Sequence, residues 1–76
     1  MTNDIKKDDD LFYEKIKVYS EKSIPVHITL KNDSWLNGFV KEVKADFFIL
    51  EEFKNGLMPV FFLELKFLET YTKEKK

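Results

Sequence analysis

The sequence contains no cysteine, which excludes disulfide bonds and thiolate metal ligands as supports for its 76 residues. A chain of this length buries a small share of its surface, and oligomerisation is the remaining common route to added stability. The sequence also lacks a run of about 18 apolar residues that could span a membrane, and residues 1–10 have no apolar signal-peptide core. These absences predict a cytoplasmic protein that does not associate with membranes.

Arginine is absent as well. All 13 basic residues are lysines, and the formal net charge is -1. The bidentate guanidinium that recognises guanine edges and phosphates is therefore missing. We do not expect strong electrostatic binding of nucleic acid by one copy of the chain.

The residue types that catalysis requires are few. His27 is the only histidine and falls at an outward strand position, where a surface role is expected. Glu51 and Glu52 are neighbours on one strand and so point to opposite faces. Gly38 and Gly56 are too far apart to form a phosphate-binding loop. We expect no enzyme activity, no catalytic residues, no metal site and no cofactor.

A helix is predicted near the start of the chain. Phe12, Ile16 and Tyr19 recur at helical spacing, which predicts a helix over about 10–22. Pro25 cannot continue that helix and restricts the preceding residue to an extended conformation. The chain should therefore enter its first strand directly.

Apolar residues then alternate with polar ones, a pattern typical of half-buried strands. The stretch "VHITLKNDSWLNGFV" predicts two strands joined by a turn at Asn32-Asp33. Gly38 in the second strand indicates a bend, a bulge or a close backbone approach. The stretch "FFILEEF" predicts a third strand, and Asn55-Gly56 after it is typical of a hairpin turn.

The last apolar run, "VFFLELKFLETY", is too long for one ordinary strand. A sharp turn near Leu63-Glu64 would divide it into a fourth and a fifth strand. Pro59 has no amide donor, which places it at the beginning or the edge of the fourth strand. Five short strands would avoid open edges by closing into a small barrel over about 25–71.

This arrangement resembles the Sm, Lsm and Hfq superfamily of RNA-binding ring proteins. Leu36, Gly38 and Val40 match the "L-x-G-x-I" second strand of the Hfq-like variant, and "DFFIL" is similar to the start of its third strand. The predicted fold class is thus mainly β: an N-terminal helix and a five-stranded, strongly bent, antiparallel SH3-like barrel of the Sm type. The likeness covers the domain at 8–71, between a disordered lead at 1–7 and a flexible tail at 72–76.

The resemblance implies a homo-oligomeric ring of six or seven copies. In such rings the fourth strand of one subunit adds to the fifth strand of its neighbour. The apolar residues expected at this interface are Val60, Phe61, Phe62 and Phe67.

The resemblance also implies that single-stranded RNA binds near the pore. Phe47 matches the family's base-stacking aromatic, with Asp46 and Lys44 beside it. Phe47 and Ile49 should lie on the outer face, because Phe48 and Leu50 take the inward positions. The expected ligand is short RNA rich in uridine or adenine. A Phe in a strand is more often part of the core, and that alternative stays open for Phe47.

The chain departs from the family pattern at the base reader. Phe61, Phe62 and Leu63 stand where the family has a cationic or hydrogen-bonding motif, and Asp33 replaces the usual turn glycine. The alternative function is therefore an Sm-fold scaffold that has lost nucleotide binding and binds protein partners. Trp35 suits either a cover for the barrel end or an interface.

Overall fold

The computed structural model describes residues 8–72. Helix α1 (Asp8–Lys22) begins two residues before its predicted start and ends as predicted. The helix buries Ile16 completely. Its end is a Schellman motif, in which Ile24 N donates to Tyr19 O at 3.0 Å and Ser23 N to Ser20 O at 3.3 Å. The predicted lead at 1–7 lies outside the described residues, as does the predicted tail beyond Thr72.

All five predicted strands are present, and every pair of neighbouring strands is antiparallel. They are β1 (Val26–Leu30), β2 (Trp35–Val43), β3 (Phe47–Glu52), β4 (Gly56–Phe61) and β5 (Leu65–Thr70). The predicted break near Leu63-Glu64 is a single 3₁₀ turn, Phe62–Glu64. The fold is thus a mainly β arrangement of one helix and one sheet.

Closure of the sheet into a barrel was predicted and is not found within residues 8–72. The strand order is β4-β3-β2-β1-β5, which leaves β4 and β5 as the two edges. The sheet is nevertheless strongly bent. In a flat sheet these edges would lie about 19 Å apart, whereas the three residues that join them in a 3₁₀ turn rise only about 6 Å.

Gly38 provides a close approach between two backbones. A Cβ atom placed on Gly38 would lie 2.1 Å from the carbonyl oxygen of Glu51 on the paired strand. The β-bulge of this strand pair lies instead between Val40 and Glu42, where the register shifts. Of the three roles predicted for Gly38, the close backbone approach is confirmed.

The turns use positive backbone angles, as their sequences predict. Gly56 has a φ of 80° in the β3–β4 hairpin, and Asp33 has a φ of 72° in the β1–β2 turn. Asp tolerates this region better than most residues, which explains how it replaces glycine there. Pro59 lies on an edge strand, as predicted.

The core lies between the inner face of the sheet and α1. Its fully or nearly fully buried side chains come from the helix, all five strands and the 3₁₀ turn. They are Ile16, Val26, Ile28, Val40, Phe48, Leu50, Val60, Phe62, Leu65 and Leu68. No helix in residues 8–72 has the length and apolar character needed to cross a membrane.

Candidate functional site

Phe47 begins β3 on the outer face of the sheet. Phe48 and Leu50 are completely buried, whereas Phe47 and Ile49 are half-buried, so the predicted alternation is confirmed. The Phe47 ring packs against Phe61 on β4, with 5.3 Å between ring centroids and 39° between ring planes. Phe61 keeps 44% of its surface exposed. The two rings form an aromatic surface, here called the outer aromatic pair.

The β2–β3 turn holds Lys44 and Asp46 beside this pair. Lys44 N donates to Phe47 O at 2.8 Å, which closes the turn. Phe62 N donates to Asp46 O at 3.0 Å, which fastens the same turn to the end of β4. The backbone therefore brings the three predicted RNA-binding residues together, and both charged side chains are exposed.

Lys44 also has a charged partner within the chain. Its Nζ lies 3.0 Å from Glu42 Oε2, and both side chains are about half exposed. An ion pair this exposed is weak and breaks readily. Lys44 can therefore leave Glu42 and bind a phosphate, but losing the Glu42 ion pair reduces the free energy gained by that binding.

The predicted interface residues fall on two different faces. Phe61 and Phe67 are exposed, at 44% and 62%, while Val60 and Phe62 are buried, at 1% and 5%. The structure thus assigns Val60 and Phe62 to the core of the single chain rather than to a surface. Strand alternation turns Val60 inward, and the 3₁₀ turn aims Phe62 at Phe48, with 5.4 Å between ring centroids.

The free edge of β4 offers few hydrogen-bond donors. In an antiparallel pair of strands, every second residue directs its N–H and C=O groups at the partner strand. The hydrogen bond from Phe62 N to Asp46 O shows that Phe62 is such a residue in the β3–β4 pair. The backbone groups of Leu57, Pro59 and Phe61 therefore point away from β3. Proline has no N–H, which removes the central donor from that edge. Two amides and three carbonyls remain for pairing with another strand.

The free edge of β5 follows the same rule. Tyr71 N donates to Pro25 O at 3.0 Å, which shows that Tyr71 directs its backbone groups at the β1 side of the sheet. By the alternation of the β1–β5 register, the backbone groups of Leu68 and Thr70 point away from β1. Thus β5 presents donors and acceptors without a proline.

A polar cluster on the outer face was not anticipated from the sequence. His27 and Asn37 are cross-strand partners, and His27 Nδ1 is hydrogen-bonded to Asn37 Oδ1. The Trp35 ring, 58% exposed, lies 5.9 Å from the imidazole. A two-residue turn at Asn32-Asp33 would set His27 opposite Gly38, whereas the observed loop of residues 31–33 shifts the register and sets His27 opposite Asn37.

Glu52 is a buried carboxylate with a structural role. Its oxygens accept from the backbone N–H groups of Asn37 at 3.2 Å, Lys54 at 3.0 Å and Asn55 at 2.9 Å, and from Asn55 Nδ2 at 2.9 Å. Burial by itself raises the pKa of Glu52, but these hydrogen bonds outweigh it and lower the pKa below its ordinary value. Glu51 is exposed on the opposite face, as predicted.

Among the described residues, no group of three or more His, Asp or Glu side chains is placed to hold a metal ion. No protein-family model and no curated protein sequence matches this chain.

Proposed function

We propose that the chain is a cytoplasmic Sm-type protein that assembles into a ring of six or seven copies and binds short single-stranded RNA. The observation that carries this proposal is the outer aromatic pair of Phe47 and Phe61, set against a turn that bears Lys44 and Asp46. Exposed rings stack on bases of any sequence, and stacking is worth about 1 to 3 kcal/mol per base.

Ring assembly is supported by the two free edges. In residues 8–72, β4 and β5 each have one side without a strand partner. Joining β4 of one copy to β5 of the next would pair most of the outward backbone groups of both strands, with one donor missing at Pro59. The same contact would cover Phe67, an apolar side chain on β5 that is 62% exposed in the single chain.

Charge is expected to contribute less than stacking. The chain has no arginine, and Lys44 shares its charge with Glu42. A ring would place six or seven copies of the outer aromatic pair close together, so several bases of one strand could be bound at once. We expect uridine- or adenine-rich RNA to bind, with the Asp46 carboxylate accepting a hydrogen bond from a base.

The test is fluorescence anisotropy of short oligouridine and oligoadenine RNA with the wild type and with Phe47→Leu. Leucine keeps apolar contact with Phe61 but has no ring to stack on a base. We expect a loss on the order of 5- to 150-fold in affinity per base contacted, from about 1 to 3 kcal/mol. The salt dependence should stay unchanged, because no phosphate contact is removed.

The matched control is Phe53→Leu, which makes the same change at another exposed ring, 50% accessible, at the end of β3. This variant should bind RNA like the wild type. Tight binding that ignores Phe47 would show that the RNA site has been placed on the wrong surface.

A second candidate function is an Sm-type scaffold that binds protein partners. It is favoured by Phe62, which is buried in the core where a base reader is expected, and by the Glu42 partner of Lys44. An intact ring that binds neither RNA at low salt would support the scaffold and contradict the RNA proposal.

A further inference from the structure

Helix α1 carries a second apolar surface in addition to the one that it buries. Leu11 and Val18 are 47% and 44% exposed, although Ile16 on the inner side of the same helix is completely buried. An open groove of about 500 Å³ runs along the exposed side. Its lining residues are Leu11, Phe12, Glu14, Lys15, Val18 and Tyr19.

The charges in this groove are arranged symmetrically. Leu11 lies three residues before Glu14, and Val18 lies three residues after Lys15, so the stretch has the form apolar-x-x-acid-base-x-x-apolar. Residues three, four and seven positions apart share one side of a helix, which places these four on one stripe.

The stripe is complementary to itself when two copies run antiparallel. A two-fold axis between Glu14 and Lys15 would set Leu11 opposite Val18 of the second copy, and Val18 opposite Leu11. The same axis would set Glu14 opposite Lys15 twice, giving two oppositely charged contacts between flanking apolar ones. A contact of this kind is isologous and therefore closes with two copies.

We propose that the occupant of this groove is α1 of a second copy of the chain, packed antiparallel about that axis. This pairing uses neither free edge of the sheet, so it goes beyond the proposed ring. If rings form, it joins two rings; if they do not, it produces a dimer. The two proposals can therefore fail separately.

Charge exchange in the full-length chain is the test, with oligomeric mass measured by sedimentation and native mass spectrometry at micromolar concentration. Glu14→Lys alone and Lys15→Glu alone each place like charges opposite one another across the axis. Each should weaken pairing on the order of tenfold, and more when the contact is repeated around a ring. The double variant Glu14→Lys/Lys15→Glu restores opposite charges and should restore the wild-type mass.

The apolar part of the contact is tested by Leu11→Ser/Val18→Ser, which should halve the assembled mass. The matched control, Leu63→Ser, changes a leucine that is 69% exposed on the 3₁₀ turn and should leave the mass unaltered. Circular dichroism of each variant checks that the helix is retained.

Two results would overturn the proposal. One is a double charge variant that stays as dissociated as the single variants. The other is a wild type whose mass already equals that of the serine variant, which would show that the groove does not pair two copies.

Discussion

Two pairs of phenylalanine rings lie next to each other at the start of β3, and they occupy opposite faces of the sheet. Phe48 and Phe62 lie 5.4 Å apart between ring centroids on the inner face, and Phe47 and Phe61 lie 5.3 Å apart on the outer face. The inner rings are 0% and 5% exposed, whereas Phe61 is 44% exposed. The same residue type at the same spacing therefore supplies the core on one side and an accessible stacking surface on the other.

The largest effect should come from truncating the inner pair. Phe48→Ala removes a completely buried ring and should lower the free energy of unfolding by about 3 to 5 kcal/mol. Phe47→Ala should lower it by less, about 1 to 3 kcal/mol, because a half-buried ring loses the aromatic pair and part of its apolar burial. Urea unfolding of both variants measures the difference, and equal losses would show that the two faces are not distinct.

The next effect concerns Gly38, which allows the backbones of β2 and β3 to lie close together. Gly38→Val would force a side chain into the Glu51 carbonyl, and we expect a loss of at least about 1 to 3 kcal/mol. Gly56→Ala is the control, because open space surrounds Gly56 and only its positive φ is strained. That strain costs about 1 to 2 kcal/mol. Thermal melts of the two variants compare them, and a Gly38→Val protein with wild-type stability would contradict the close approach.

The smallest effect should distinguish the adjacent carboxylates Glu51 and Glu52, which lie on opposite faces of the sheet. The pKa of Glu52 is lowered from its ordinary value of 4.5, so its contribution to stability is complete above that value and is lost as the pH falls through the lowered pKa. Glu52→Gln leaves amide donors unpaired, which should cost about 1 to 3 kcal/mol near neutral pH, and it should flatten the decline of stability in acid. Glu51→Gln should do neither. Unfolding measured from pH 7 to pH 3 checks this, and identical acid profiles for the two variants would contradict it.

The local features of the fold could be predicted because they depend on neighbouring residues. Helical spacing located α1, Asn55-Gly56 located a hairpin, and alternation assigned Phe47 and Phe48 to opposite faces. Each of these signals lies within a few residues of the structure that it specifies.

Features that depend on distant residues were missed or wrong. The barrel does not close in the described residues, because β4 and β5 meet only through a 3₁₀ turn and do not pair. Val60 and Phe62, which the resemblance placed at an interface, are buried in the core of the single chain because strand alternation and the 3₁₀ turn direct them inward. The four hydrogen bonds of Glu52 depend on a register between strands that its own neighbours do not reveal.

The outer aromatic pair is the central claim of the proposed function, and photocrosslinking tests it most directly. A short oligouridine carrying 4-thiouridine would be irradiated with the wild-type protein, and the modified residue identified by tandem mass spectrometry. We predict adducts on Phe47 and Phe61, in the lysine-bounded peptides 45–54 and 55–66. Adducts confined to Trp35, in the peptide 32–41, would place the RNA on another part of the sheet and contradict the account.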